Sequence, residues 1–226
     1  MIHSLAYTNC GTLCFADLEL LPELLSPAEF EEAVDALYRL PAYRLRLRIF
    51  PDSDIKGLIA YWGKGTRDSK IRPLLESLAH IERPDGVSIT IGAVLPDFAR
   101  VRLNTFPRAW PEAETNREDC FWRSMNFFNS QPDMRYLDPA YVRGALRNEY
   151  SLVTGEPTFG DVVILANAAG DALHAAVFLA EDYVYTKNGN NMLSPWVIMK
   201  LSELPLVFPS EPPLRVAYFR RHAPVR

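Results

Sequence analysis

The chain has 226 residues, and its 24 Lys and Arg against 28 Asp and Glu leave a net charge of −4. A balance this close to neutral argues against a dedicated nucleic-acid binder. Hydrophobic residues make up 48% and charged residues 23%, which supplies a sizeable core and excludes a disordered chain. No apolar run reaches the roughly 18 residues of a membrane-spanning helix. Three cysteines leave at least one thiol outside any intrachain disulfide.

Residues 1–38 hold seven acids and no Lys or Arg. The positive start of a secretory signal is missing, so the expected location is the cytoplasm unless an upstream segment directs export. Cys10 and Cys14 lie four residues apart with only His3 nearby, too few ligands for zinc, and read as idle or buried thiols. Ser26-Pro27-Ala28-Glu29 is a capping box with proline at the first helical position. It predicts a helix over 27–40, with Phe30, Ala33, Val34, Leu37 and Leu40 at helical spacing. Strict alternation over 43–49 predicts a strand with Arg44, Arg46 and Arg48 on its solvent face. A helix over 71–81, a strand over 87–91 and a strand over 101–106 follow. The aperiodic, proline-bearing stretch 107–114 marks a boundary, giving an α/β region over 1–110 of unassigned role and a second region over 111–226.

The second region opens with a short helix whose apolar side is Phe121, Trp122, Met125 and Phe128. A second helix runs from Asp138-Pro139 to about 148. A meander of strands is predicted at 150–153, 162–166, 172–179, 183–187, 196–201 and 215–220, so the fold class is α+β.

Cys120 opens the first of these helices, where free N–H groups and the helix dipole lower a thiol's pKa. His174 stands near the start of a predicted strand, 54 residues later. A thiol at a helix start and a later strand imidazole supply a nucleophile and a general base. Asp119-Cys120, then Gly160-Asp161-Val162-Val163-Ile164-Leu165, then His174-Ala175-Ala176-Val177-Phe178-Leu179 resemble, in order and spacing, the NlpC-type papain-like cell-wall peptidases. The resemblance covers roughly residues 120–200. It implies a papain-like core in which the helix bearing the cysteine packs on an antiparallel sheet. It further implies a thiol hydrolase that cleaves an amide bond without cofactor or metal, acting on a peptide-like or cell-wall fragment.

In that resemblance Cys120 is the nucleophile and His174 the base, with the backbone N–H of Cys120 as oxyanion donor. A polar third residue on the next strand orients the ring. Asn188 is the preferred candidate, because its amide oxygen can accept from the ring N–H and fix the tautomer, and Thr186 on the same strand face is the second; Asp182 is a rival, and Asn188-Gly189 is also a hairpin-turn signal. Gly160 and Asp161 are expected to shape a turn. Where the family has small residues after its cysteine, this chain has Phe121-Trp122, which are expected to narrow the substrate groove. A catalytically inactive binding module and an acyltransferase on the same core are the alternative readings.

Overall fold

The structure is a computed structural model that describes residues 6–9, 12–15, 21–30, 33, 42–105, 118–187, 195–208 and 210–222. It divides into two compact units, Met1–Pro41 and Ala42–Arg226. In the first, β1 (Ala6–Asn9) and β2 (Thr12–Phe15) pair antiparallel with Cys14 opposite Tyr7, and α1 spans Leu21–Leu24. Cys10 lies outside the described residues. The capping box forms: the N–H and Oγ of Ser26 donate to Glu29 Oε2 at 3.0 and 2.6 Å, and Glu29 N–H donates back to Ser26 Oγ at 3.4 Å. Residues 27–30 are helical, and the rest of the predicted 27–40 helix lies outside the described residues apart from residue 33.

The second unit begins with β3 (Arg46–Ile49), paired antiparallel with β4 (Val87–Thr90). The predicted alternation is present, with Arg44, Arg46 and Arg48 exposed and Ile49 buried. Between the strands lie α2 (Ile55–Trp62) and α3 (Asp68–Ala79). Asp54 caps α2 by accepting from Gly57 N–H at 2.9 Å. The strand predicted over 101–106 is not formed over its described residues, 101–105; the chain makes α4 (Asp97–Arg102) instead. Asp97 in its first turn and Arg100 and Arg102 in its last complement the helix dipole, while Phe98 and Ala99 are buried.

The predicted boundary near 110 also gives way. One hydrophobic core joins Ile49, Ile59, Trp62, Leu75 and Leu95 to Phe127, Val177, Leu179, Tyr185 and Ile198. The apolar faces of α2 and α3 are covered by residues from beyond 110, so both stretches belong to the unit that starts at Ala42.

After α5 (Cys120–Asn126) and α6 (Pro139–Glu149) the predicted strands appear almost as expected. They are β5 (Tyr150–Leu152), β6 (Val162–Ala166), β7 (Ala172–Ala180), β8 (Tyr183–Lys187), β9 (Trp196–Lys200) and β10 (Arg215–Arg221). They form a six-stranded sheet, antiparallel throughout, in the order β5-β10-β6-β7-β8-β9. The run β6 to β9 is a meander. β10 departs from it, returning past a short helix, α7 (Leu204–Val207), to lie between β5 and β6. The unit is therefore α+β. Trp122, Met125, Tyr136, Val142 and Ala145 pack on Val162, Ile164 and Ala175, which fixes α5 and α6 on one face of the sheet. Among the described residues no helix is long and apolar enough to cross a membrane.

Candidate active site

Asp119 sets where α5 begins: its Oδ1 accepts from Trp122 N–H at 2.8 Å, making Cys120 the first helical residue. Trp122, fully buried, lies 5.3 Å from the Phe98 ring. It therefore anchors the helix in the core, and the expectation that Phe121-Trp122 narrow a groove does not hold for Trp122. Asn126 closes the other end of α5. Its amide donates to Trp122 O at 2.9 Å and Asp133 O at 3.1 Å, and its Oδ1 accepts from Asp133 N–H at 2.6 Å.

Cys120 is 6% exposed and unpaired. The backbone N–H of Ala175, the residue after His174, acts on the thiol to lower its pKa. Burial pushes the thiol up to about 12, and the neighbouring Asp119 carboxylate adds to the effect. This corrects the expectation of a lowered thiol pKa: over a helix of seven residues, the dipole is outweighed by desolvation and by an adjacent anion.

His174 is completely buried at the start of β7, where the pairing with β6 slips between Leu165 and Ala166. Such slips re-aim side chains and are common beside functional sites. By alternation along β7, His174 shares a sheet face with Ala176 and Phe178, while Ala175 lies on the face that carries α5. His174 Nε2 is 2.8 Å from Thr186 Oγ1 on β8, and the Phe208 ring stacks on the imidazole at 4.3 Å. Nδ1 has no hydrogen-bond partner. Burial lowers the imidazole pKa to about 3, helped by the positive charges of Arg123 and Lys187.

Of the two candidates for the third residue, Thr186 is in contact with the ring and Asn188 lies outside the described residues. Asp182 is committed elsewhere, accepting from Ser202 N–H at 3.2 Å and Ser202 Oγ at 2.5 Å. Gly160 and Asp161 hold the turn before β6. The Asp161 carboxylate accepts from Thr158 N–H at 2.8 Å and from Arg220 Nε and Nη2 at 2.9 and 2.7 Å. Gly160 has φ +88°, and a Cβ there would stand 2.3 Å from the Phe128 ring.

Two residues that the sequence reading passed over dominate the electrostatics. Arg123, one helical turn beyond Cys120, is 1% exposed, with its guanidinium 4.6 Å from the Trp196 ring centroid and 5.4 Å from that of Tyr185. Lys187 is also fully buried, and burial together with Arg123 lowers its pKa to about 7. The alternation Tyr183, Tyr185, Lys187 along β8 was the available signal, since it puts the lysine on the same face as two large aromatic residues. Arg123 and Lys187 each act electrostatically on both Cys120 and His174. By alternation Lys187 lies with Cys120 and Arg123 on the α5 face, whereas His174 and Thr186 lie on the opposite face of the sheet, and among the described residues no hydrogen bond joins Cys120 to His174.

One open cleft lies elsewhere. It measures about 760 Å³ and is lined by Lys64, Phe128, Glu149, Phe159, Asp161 and Arg220 among others, and by none of Cys120, His174 and Thr186. No protein-family model matches the chain, and no curated protein matches its sequence.

Proposed function

We propose that the chain is a papain-like thiol hydrolase that cleaves an amide bond in a peptide-like substrate, with cell-wall peptides as the class implied by the resemblance. The observation that carries this reading is the Thr186–His174 contact at 2.8 Å, with the N–H of Ala175, the next residue of β7, acting on the Cys120 thiol. With Nε2–H donating to Thr186, the lone pair of the base is on Nδ1, the nitrogen that has no partner. Cys120 Sγ attacks the carbonyl carbon, and its proton has to be relayed by water to His174 Nδ1, because alternation along β7 sets the imidazole on the sheet face away from α5. The amine leaves with that proton and a thioester remains on Cys120. Water, deprotonated by His174, then releases the carboxylate and restores the thiol. Thr186 is a positioning residue that holds the ring's orientation.

The thiol pushed up to about 12 and the imidazole down to about 3 describe a resting pair that is neutral. An imidazole that is basic only near pH 3 is a poor proton acceptor at rest, so catalysis requires substrate binding to open the pair to a more polar environment. Amine release from muramyl peptides measures the activity. It is expected to vanish in Cys120→Ala, and to fall about tenfold or more in kcat in Thr186→Val with recovery in Thr186→Ser. Turnover unchanged in Cys120→Ala rejects the reading.

The sealing of Cys120 and His174, at 6% and 0% exposure, favours as a second reading a binding module that does no chemistry. Turnover that depends on Cys120 excludes it.

A further inference from the structure

We propose that Arg123, with Lys187 beside it, binds a carboxylate carried by the substrate close to the amide that is cleaved. The proposal rests on the thiol-hydrolase reading and narrows its substrates to N-acylated amino acids or peptides with a free carboxylate near the scissile bond.

The guanidinium of Arg123 is 1% exposed, and none of Nε, Nη1 and Nη2 has a hydrogen-bond partner. Ser124 is satisfied by Cys120 O, Asn126 by Asp133, Asp161 by Arg220 and Thr186 by His174; Trp122 Nε1, Trp196 Nε1 and His174 Nδ1 also lack partners, but Arg123 is the charged side chain in that set. Burying a cation without an acceptor costs several kcal/mol. The Trp196 and Tyr185 rings offset part of that cost, but a ring face leaves the five in-plane N–H donors without acceptors. A planar carboxylate matches such a fork bidentately.

The position suits a substrate group. Arg123 is one turn of α5 from Cys120, about 5 Å along the axis, and electrostatically coupled to it. Lys187 acts on both, and Arg102 extends the positive wall 5.7 Å from Trp196. Of the nearby acids, Asp119 is engaged in capping α5. Glu118 acts on Arg123 and on Lys187, so it is the intramolecular competitor that an incoming carboxylate has to replace.

Calorimetric titration of the full chain carrying Cys120→Ala tests this without any turnover. The probes are N-acetylglycine, N-acetylglycinamide, which lacks the carboxylate, and inorganic phosphate. N-acetylglycine is expected to bind saturably, the amide to show no binding, and Glu118→Gln to tighten the acid. Arg123→Met is expected to abolish binding. Arg123→Lys, which keeps the charge and loses the fork, should weaken it about tenfold or more and decides the matter should the methionine variant not fold.

Unchanged affinity in either Arg123 variant, or no binding of N-acetylglycine, overturns the proposal. Phosphate bound in place of N-acetylglycine overturns it too, by assigning the cluster to a phosphoryl ligand. Amide turnover that survives Cys120→Ala defeats the thiol mechanism while leaving this titration as it stands, so the two failures are distinguishable.

Discussion

The two ends of α5 solve opposite problems. At its far end the chain passes Phe128 and Asn129 into an open cleft of about 760 Å³, and the acids there are paired. Asp161 meets Arg220 at 2.7 Å and Glu149 meets Arg221 at 2.9 Å. At the near end water is excluded, and there the structure holds a thiol kept neutral by burial and a guanidinium whose nitrogens lack hydrogen-bond partners, with a neutral imidazole behind the sheet on its other face. Paired charges hold the fold together at the wet end. The dry end keeps a cation whose nitrogens make no hydrogen bond, where it weakens the fold, and groups kept at such a cost are commonly functional.

The sharpest way to break this comparison is to remove one charge from each end. Asp161→Ala at the wet end strips a buried carboxylate from three donors and is expected to lower stability by about 2–4 kcal/mol in denaturant unfolding. A loss under about 1 kcal/mol would remove the structural role assigned to that pair.

The next effect is a pH dependence confined to the dry end. The His174 pKa falls from an ordinary 6.5 to about 3 on folding, through burial and then the charges of Arg123 and Lys187. Between those values the unfolded chain binds a proton that the folded chain refuses. Stability therefore declines as pH drops below 6.5, by up to about 1.4 kcal/mol per pH unit from this group alone. Melting temperatures from pH 7 to 4.5 should show the decline, and His174→Gln should flatten it. An equal slope in both proteins places the acid sensitivity elsewhere.

The smallest effect is the most telling. Arg123→Met is expected to leave stability within about 1 kcal/mol of the parent or to raise it, because a buried cation whose nitrogens make no hydrogen bond is exchanged for a side chain that packs. A loss of about 3 kcal/mol or more would make Arg123 a structural residue like Asp161.

Much of the sheet was legible in the sequence because half-buried strands alternate, and β6 to β9 and β10 fall within a residue or two of their expected limits. α2 was legible but overlooked, since Ile55, Leu58, Ile59 and Trp62 carry a helical period. α4, at six residues, is too short for a period to declare itself, and Val101 with Leu103 imitated a strand.

At the site, Cys120 as the opening residue of a helix and Thr186 beside His174 follow from capping and from the strand face. The ionisation of the thiol did not follow. A helix start raises the expectation of a thiolate, and only the depth at which Trp122 and Met125 bury α5 reverses it. Arg123 was hidden for the same reason, because no spacing rule says which face of so apolar a helix remains dry.

The most direct measurement is acylation of the thiol by p-nitrophenyl acetate, followed by intact mass and by nitrophenolate release. The account predicts one acetyl group on Cys120, its absence in Cys120→Ala, and formation about a hundredfold slower in His174→Ala. No acetyl adduct on Cys120, or one that forms at the same rate without His174, would contradict the Cys–His mechanism.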